Sequence, residues 1–329
     1  MCKKPLHVWI HPSEFKENGA KKVLFNPPLS KLGYIHTYLE CGRCIDCRLK
    51  KSKVWAVRCL NELEYWNEAC FVTLTYNDLT LPKLINTDTG EIKPSIFREH
   101  IREFNKRLRR HFDKIGDKLK IKIYYCGEYG SKTGRPHYHL LIFGFKPTDL
   151  QYYRHDKLGF PLYNSRLLDS LWYQKYDITP KKDYYRHKYL RMQRGYVVVG
   201  DVSFNSCAYV ARYILKKQQK DSERYEAQNQ EFLGTSNGIG KRWFYDNYKT
   251  MYANGFITYK KGDNFFKCPI PKYYDKLLKE HDSNLYEKVK AERLQYLLDV
   301  GDSLNFEDLS SQEKCLEFKN NHILRRNLE

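Results

Sequence analysis

The chain has 329 residues, 58 of them Lys or Arg against 39 Asp or Glu, for a formal charge of +19. Aromatic residues make up 15%, including 28 tyrosines. This length can bury a substantial core as one large domain or two smaller ones. Excess cation with many stacking side chains points to a polyanion with exposed bases, which is single-stranded nucleic acid. No apolar run approaches a membrane span, and Met1-Cys2-Lys3-Lys4-Pro5 is not followed by the apolar stretch of a secretory signal. Ten cysteines without such a signal read as free thiols or metal ligands, not a disulfide framework, and the expected compartment is cytosolic.

In chain order, residues 1–40 give short strand-like pieces broken by Pro12, Pro27 and Pro28. Cys41-Gly42-Arg43-Cys44-Ile45-Asp46-Cys47 and a basic run follow. Trp55, Cys59, Leu63 and Trp66 then fall on one face of an amphipathic helix. A strand is predicted at Phe71–Tyr76, then a loop to Pro94. Next comes a helix capped by Ser95, with Phe97, Ile101, Phe104, Leu108 and Phe112 as its core stripe. Two strands, 121–128 and 137–145, are joined by Gly130-Ser131-Lys132-Thr133-Gly134 as a hairpin. A helix capped by Ser165 covers 166–172. The basic, aromatic stretch Tyr173–Arg194 has no clear period and reads equally as a DNA-binding insert or a surface excursion.

A further strand spans 195–202, and Asn205 or Ser206 caps a helix over 207–217. Residues 218–234 read as a polar connector, and the chain from Tyr274 onward is helical. The order predicts an α+β domain, an antiparallel sheet packed against helices.

Chemistry concentrates in Arg135-Pro136-His137-Tyr138-His139-Leu140-Leu141-Ile142-Phe143. In an extended strand His137 and His139 share a face with Leu141 and Phe143, while Tyr138, Leu140 and Ile142 fill the other. Alone, such a pair is as well explained by hydrogen-bonded core histidines. The hairpin brings Glu128 back beside His137. Two imidazoles and a carboxylate suit a divalent ion such as Mg2+ or Mn2+, and zinc would also accept them. Tyr209 and Tyr213 stand one above the other on a helix face, with Lys216 and Lys217 just beyond. Among 28 tyrosines that spacing alone fits two core aromatics equally well.

In order, the Phe71–Tyr76 strand, the histidine strand and Tyr209-Val210-Ala211-Arg212-Tyr213 resemble the three motifs of HUH endonucleases. Five blocks resemble more closely the rolling-circle replication initiators of microviruses of the gokushovirus type. They are Cys41–Cys47, Cys126–Gly130, Arg135–His139, Ala208–Lys217 and Gly238-Ile239-Gly240-Lys241, and the likeness spans roughly residues 38–248. The resemblance implies a central antiparallel sheet of about five strands flanked by helices. It implies metal ligands at His137 and His139, a third at Glu128, and nucleophiles at Tyr209 and Tyr213. Lys216 or Lys217 would favour the phenolate or neutralise a phosphate oxygen. It also implies nicking of phage origin DNA, a 5′-phosphotyrosine link with a 3′-OH primer, and rejoining of the displaced strand. The setting would be the cytoplasm of an infected bacterium, with host helicase and polymerase as partners.

The expected organisation is an N-terminal Cys-containing segment (1–50), the nicking-joining domain (51–220), and a connector with a mostly helical C-terminal region (221–329). Cys41, Cys44 and Cys47 can share a structural Zn2+ if a fourth ligand joins, from Cys2, His36, Cys59 or Cys70. Otherwise they are three buried or free thiols. Gly234–Arg242 is one residue too long for a nucleotide-binding phosphate loop and ends in Arg where Ser or Thr is required, so no ATPase is expected. The rival class is a non-catalytic single-stranded nucleic-acid-binding protein with a zinc-supported N-terminal module. It explains charge, aromatics and cysteines but leaves the histidine strand without a role.

Overall fold

Alternating apolar residues build the centre of the protein, and the computed structural model shows what they pair with. Positions 1, 3, 18–20, 131–132, 157–158, 179–188, 204–205, 208, 212–227, 262–263 and 301–329 lie outside the described residues. The chain forms two units, Met1–Val54 with Phe244 onward, and Trp55–Trp243.

The elements run β1 (Leu6–Phe15), β2 (Lys21–Leu24), β3 (Ile35–Leu39), α1 (Ile45–Leu63), β4 (Ala69–Leu74), β5 (Lys83–Ile85) and β6 (Ile92–Pro94). Then come α2 (Arg98–Lys114), β7 (Lys122–Tyr129), β8 (Pro136–Phe143), β9 (Leu150–His155), β10 (Pro161–Ser165) and α3 (Arg166–Leu171). They continue with β11 (Tyr173–Asp177), β12 (Tyr189–Gln193), β13 (Val197–Asp201), β14 (Phe232–Thr235) and α4 (Lys241–Asn254). The last are β15 (Ile257–Lys261), β16 (Asn264–Cys268), α5 (Lys272–His281) and α6 (Ser283–Val300).

In the unit around Trp55–Trp243, seven strands form one sheet in the order β14-β7-β8-β4-β13-β10-β9, every pairing antiparallel. The α+β expectation holds, and the sheet of about five strands is corrected to seven. The sequence pattern does not mark β9, β10 and β14. β9 is exposed over most of its length, and β14 has only two large apolar residues, so neither carries a buried alternation.

β8 is central and apolar on both faces. Tyr138, Leu140 and Ile142 join Val72, Leu74, Ile101, Phe104, Leu108 and Trp172 in one core. Leu141 and Phe143 join Ala56, Cys59, Tyr124, Cys207, Val210 and Ala211 in another. The predicted split of the strand is therefore observed. Ser165 caps α3 as expected, its Oγ accepting from the Leu168 N–H. Ser95 does not cap α2, which begins at Arg98 behind Phe97. Its hydroxyl accepts from the Asn229 N–H and meets the Tyr129 hydroxyl. The two ends of the patternless stretch after Trp172 pair with each other as β11 and β12.

In the other unit, β2-β1-β3 form a small antiparallel sheet, β15 pairs with β16, and α5 and α6 follow. Among the described residues no helix is long and apolar enough to cross a membrane.

Candidate active site

Strand register assembles the site. Glu128 on β7 lies opposite His137 on β8, and Thr73 on β4 lies opposite His139. Directly opposed residues share a sheet face. One face therefore presents two imidazoles, a carboxylate and a hydroxyl. The ligand atoms of Glu128, His137 and His139 all lie within 4.8 Å of one another. The Glu128 side chain is 1% exposed, that of His139 6% and that of His137 18%.

The hydrogen bonds constrain the proton positions. His137 Nδ1 is 3.1 Å from the Arg135 carbonyl oxygen, which can only accept, so Nδ1 carries a hydrogen. In the neutral ring Nε2 is then a lone pair, yet it faces Glu128 Oε1 at 2.6 Å. His139 Nε2 approaches the same oxygen at 3.0 Å, with its Nδ1 2.9 Å from Thr73 Oγ1. Two ring nitrogens converging on one carboxylate oxygen require positive charge, either an imidazole proton or a bound cation. Burial pushes the Glu128 carboxyl up, but the His137 charge and the hydrogen bonds from both histidines outweigh it and hold it at about 2. Glu128 is therefore an anion at neutral pH. Two imidazoles and one anionic carboxylate form a donor set with room left for substrate oxygens or water.

Tyr209 completes the cluster, its hydroxyl 3.4 Å from His139 Nε2. Its ring stands edge-on to His139, with centroids 4.9 Å apart, and edge-on to Phe71 at 6.1 Å. Phe71 lies flat on His139, 5.5 Å away with 6° between the planes. The Tyr209 helix starts in a reciprocal cap, where Ser203 Oγ accepts from the Ser206 N–H and Ser206 Oγ accepts from the Ser203 N–H. Ser206 thus belongs to the cap, but Ser203 occupies the capping position. Asn205, Tyr213, Lys216 and Lys217 lie outside the described residues. Sequence reasoning does not single out Thr73 or Phe71. The signal for Thr73 is its hydroxyl, the only one in Ala69–Leu74.

Cys41, Cys44 and Cys47 come together with Cys2. Cys59 packs in the core with Cys207, Cys70 in the opposite core, and His36 against Trp9 and Tyr38, so these three are not the fourth partner. The Gly238-Ile239-Gly240-Lys241 turn needs its glycines, whose φ values are 72° and 75°. Its Gly240 N–H donates to Glu62 Oε2 and its Ile239 carbonyl accepts from Arg58, so this backbone is engaged by α1. A separate basic cleft of about 380 Å³ lies between α2 and the β11–β12 hairpin. Arg107, Arg110, Lys114, Lys175 and Arg191 line it, with the Arg107 and Arg191 guanidinium carbons 3.7 and 5.1 Å from the Tyr173 ring centroid.

Residues 69–218 match a family model for replication-associated proteins of the ORF2 type. That stretch contains Glu128, His137, His139 and Tyr209 and excludes the four clustered cysteines. Replication-associated protein ORF2 of Spiroplasma virus 4 is 28% identical over 313 residues, covering 91% of this chain and 87% of the relative. Replication-associated protein VP4 of Bdellovibrio phage phiMH2K is 28% identical over 275 residues, covering 80% and 77%. Replication-associated protein ORF4 of Chlamydia phage 1 is 28% identical over 351 aligned positions, covering 92% and 77%. No solved structure matches. These similarities bear out the expected resemblance to microvirus-type replication initiators.

Proposed function

We propose that this relative of phage replication-associated proteins initiates rolling-circle replication by nicking and rejoining single-stranded origin DNA through tyrosine attack. The observation that carries the reading is the Tyr209 hydroxyl, 3.4 Å from His139 Nε2 and so beside the three-donor group. Residues 51–220 are the nicking-joining domain in this reading, an HUH-type enzyme with two tyrosines.

Glu128, His137 and His139 would hold the ion, Mg2+ or Mn2+. When bound, it supplies positive charge to the scissile phosphate's non-bridging oxygens. The protein's own part is positioning. An ordinary phenol, with a pKa near 10, is a poor nucleophile at neutral pH, so holding Tyr209 next to the phosphate site matters. The phenolic oxygen bonds to phosphorus as the P–O3′ bond breaks. The phenol proton passes to solvent, and the departing 3′ oxygen takes one up. The products are a 5′-phosphotyrosine and a 3′-OH primer. Tyr213, with Lys216 and Lys217 near it in sequence, would cleave the regenerated origin while Tyr209 still holds the first strand. The setting is the cytoplasm of the infected bacterium, with host helicase and polymerase extending the primer.

The test replaces both tyrosines, Tyr209→Phe with Tyr213→Phe, and incubates the protein with labelled origin DNA and Mn2+ before denaturation. Wild type should carry label and the double variant none, with DNA binding nearly intact. Adducts that persist in the double variant refute the reading. Binding by wild type without any adduct favours the non-catalytic rival.

A further inference from the structure

We propose that Cys2, Cys41, Cys44 and Cys47 bind one zinc ion in a closed four-thiolate site that ties residue 2 to the start of α1. The site is separate from the nicking chemistry and does not depend on it.

All four sulfurs lie within 4.8 Å of one another, Cys2 Sγ being 3.5 Å from Cys41 Sγ and 3.7 Å from Cys44 Sγ. A tetrahedron with Zn–S bonds of about 2.3 Å has sulfur–sulfur edges of about 3.8 Å. A disulfide needs about 2 Å and would use only two of the four sulfurs.

The surroundings suit thiolates. Cys41 Sγ accepts from the N–H groups of Arg43, at 3.4 Å, and Cys44, at 3.3 Å. Cys2 Sγ accepts from the Cys41 N–H at 3.3 Å. The bend that aims these donors needs Gly42, whose φ of 72° is costly for any residue with a Cβ. Burial pushes the Cys41 thiol up, but the Cys44 and Arg43 N–H groups outweigh it and hold it at about 7. Cys47 sits in the first turn of α1, where the helix dipole favours negative charge. Arg43, Arg48, Lys50 and Lys51 supply nearby positive charge in sequence, and Lys51 Nζ reaches the Gly42 carbonyl at 3.1 Å.

Packing argues the same way. Cys2, Cys44 and Cys47 are at most 5% exposed, and the apolar cluster they form with Cys41 contains no other side chain. Four thiols with no branched or aromatic neighbour make a poor core, whereas one ion bonded to all four gives burial a cause. Four protein ligands leave no open position, which marks the site as structural.

The test measures metal content of the full chain in wild type and in a His137→Ala/His139→Ala background, which removes zinc bound at the histidines. About one zinc per chain is expected in both. Cys2→Ser or Cys44→Ser should lose it, and Cys126→Ser should keep it. Cobalt substituted for zinc should show thiolate-to-metal charge transfer and tetrahedral bands. If the serine variants do not fold, mercurial titration of wild type should release zinc as four thiols react. Zinc retained in Cys2→Ser, iron in place of zinc, octahedral cobalt, or no metal released with the thiols would each overturn the proposal.

Discussion

Thr73→Val tests whether the histidine strand is a metal site or a hydrogen-bonded core. Thr73 Oγ1 lies 2.9 Å from His139 Nδ1, on the residue directly opposite in β4. For His139 Nε2 to ligate an ion, the ring proton must sit on Nδ1, and Thr73 accepts it. Valine keeps the shape and the β-branch that a strand favours, but offers no acceptor. The proton is then free to move to Nε2, which faces Glu128 Oε1 at 3.0 Å, where it competes directly with the ion. Partners that orient metal-bound histidines are worth roughly 10–100-fold in affinity, or about 1.4–2.7 kcal/mol. The stability cost is that of one neutral hydrogen bond, about 1 kcal/mol.

Titrating Mn2+ by electron paramagnetic resonance should therefore show a Kd raised roughly 10–100-fold. Adduct formation should recover at saturating Mn2+, and Thr73→Ser should restore affinity. Mn2+ binding by Thr73→Val as tight as in wild type would refute the reasoning, and so would a serine variant no better than valine.

Burial, reinforced by Arg194 and Arg107, lowers His100 to about 3. The unfolded chain takes up that proton near pH 6.5 and the folded one does not, so stability is full above 6.5 and falls toward pH 3, by at most about 1.4 kcal/mol per pH unit. Urea melts of His100→Phe should lack this component, and an identical acid profile would count against it. In the basic cleft, Lys114→Ala and Arg191→Ala should weaken single-stranded DNA binding and lower its salt slope by about 0.7 for each phosphate no longer neutralised, while unchanged slopes would remove the cleft from the DNA path. Phe71→Leu should slow adduct formation at saturating Mn2+ and leave Mn2+ affinity near wild type, because Phe71 touches the nucleophile as well as the His139 ring. Loss of affinity equal to that of Thr73→Val would show that it only orients the histidine.

What is legible in the sequence follows local periodicity. The split faces of β8 and the return of Glu128 across the hairpin both follow from a period of two and a short turn. The rest depends on partners distant in the chain. Cys2 lies 39 residues before Cys41, and nothing in the C-x2-C-x2-C spacing selects it over His36, Cys59 or Cys70. β14 reads as connector because Phe232-Leu233-Gly234-Thr235 has no alternation of its own, and its pairing with β7 makes it a strand. A Cβ at Gly234 would fall on the Tyr125 ring, so its glycine marks close strand packing, not a flexible link. Ser95 looks like a helix cap by residue type alone, and its hydroxyl instead meets groups near β7 and β14.

The two halves of the site come from different elements, and one strand pair relates them. β4 carries Thr73 and Phe71, which hold and cover His139. β13 pairs with β4 so that Gly200 lies opposite Phe71 and Asp201 opposite Cys70. Two residues beyond Asp201, Ser203 begins the reciprocal cap that starts the Tyr209 helix. The helix therefore leaves the sheet beside the strand that orients the histidine, and Cys207, Val210 and Ala211 anchor it in the core under that face. A shift of β13 against β4 would move the phenol relative to His139 without altering the Glu128–His137 register, which rests on β7 and β8. The donor group is thus set by one strand pair and the distance to the nucleophile by another. That separation is the physical reason for expecting Thr73→Val and Phe71→Leu to fail in different assays.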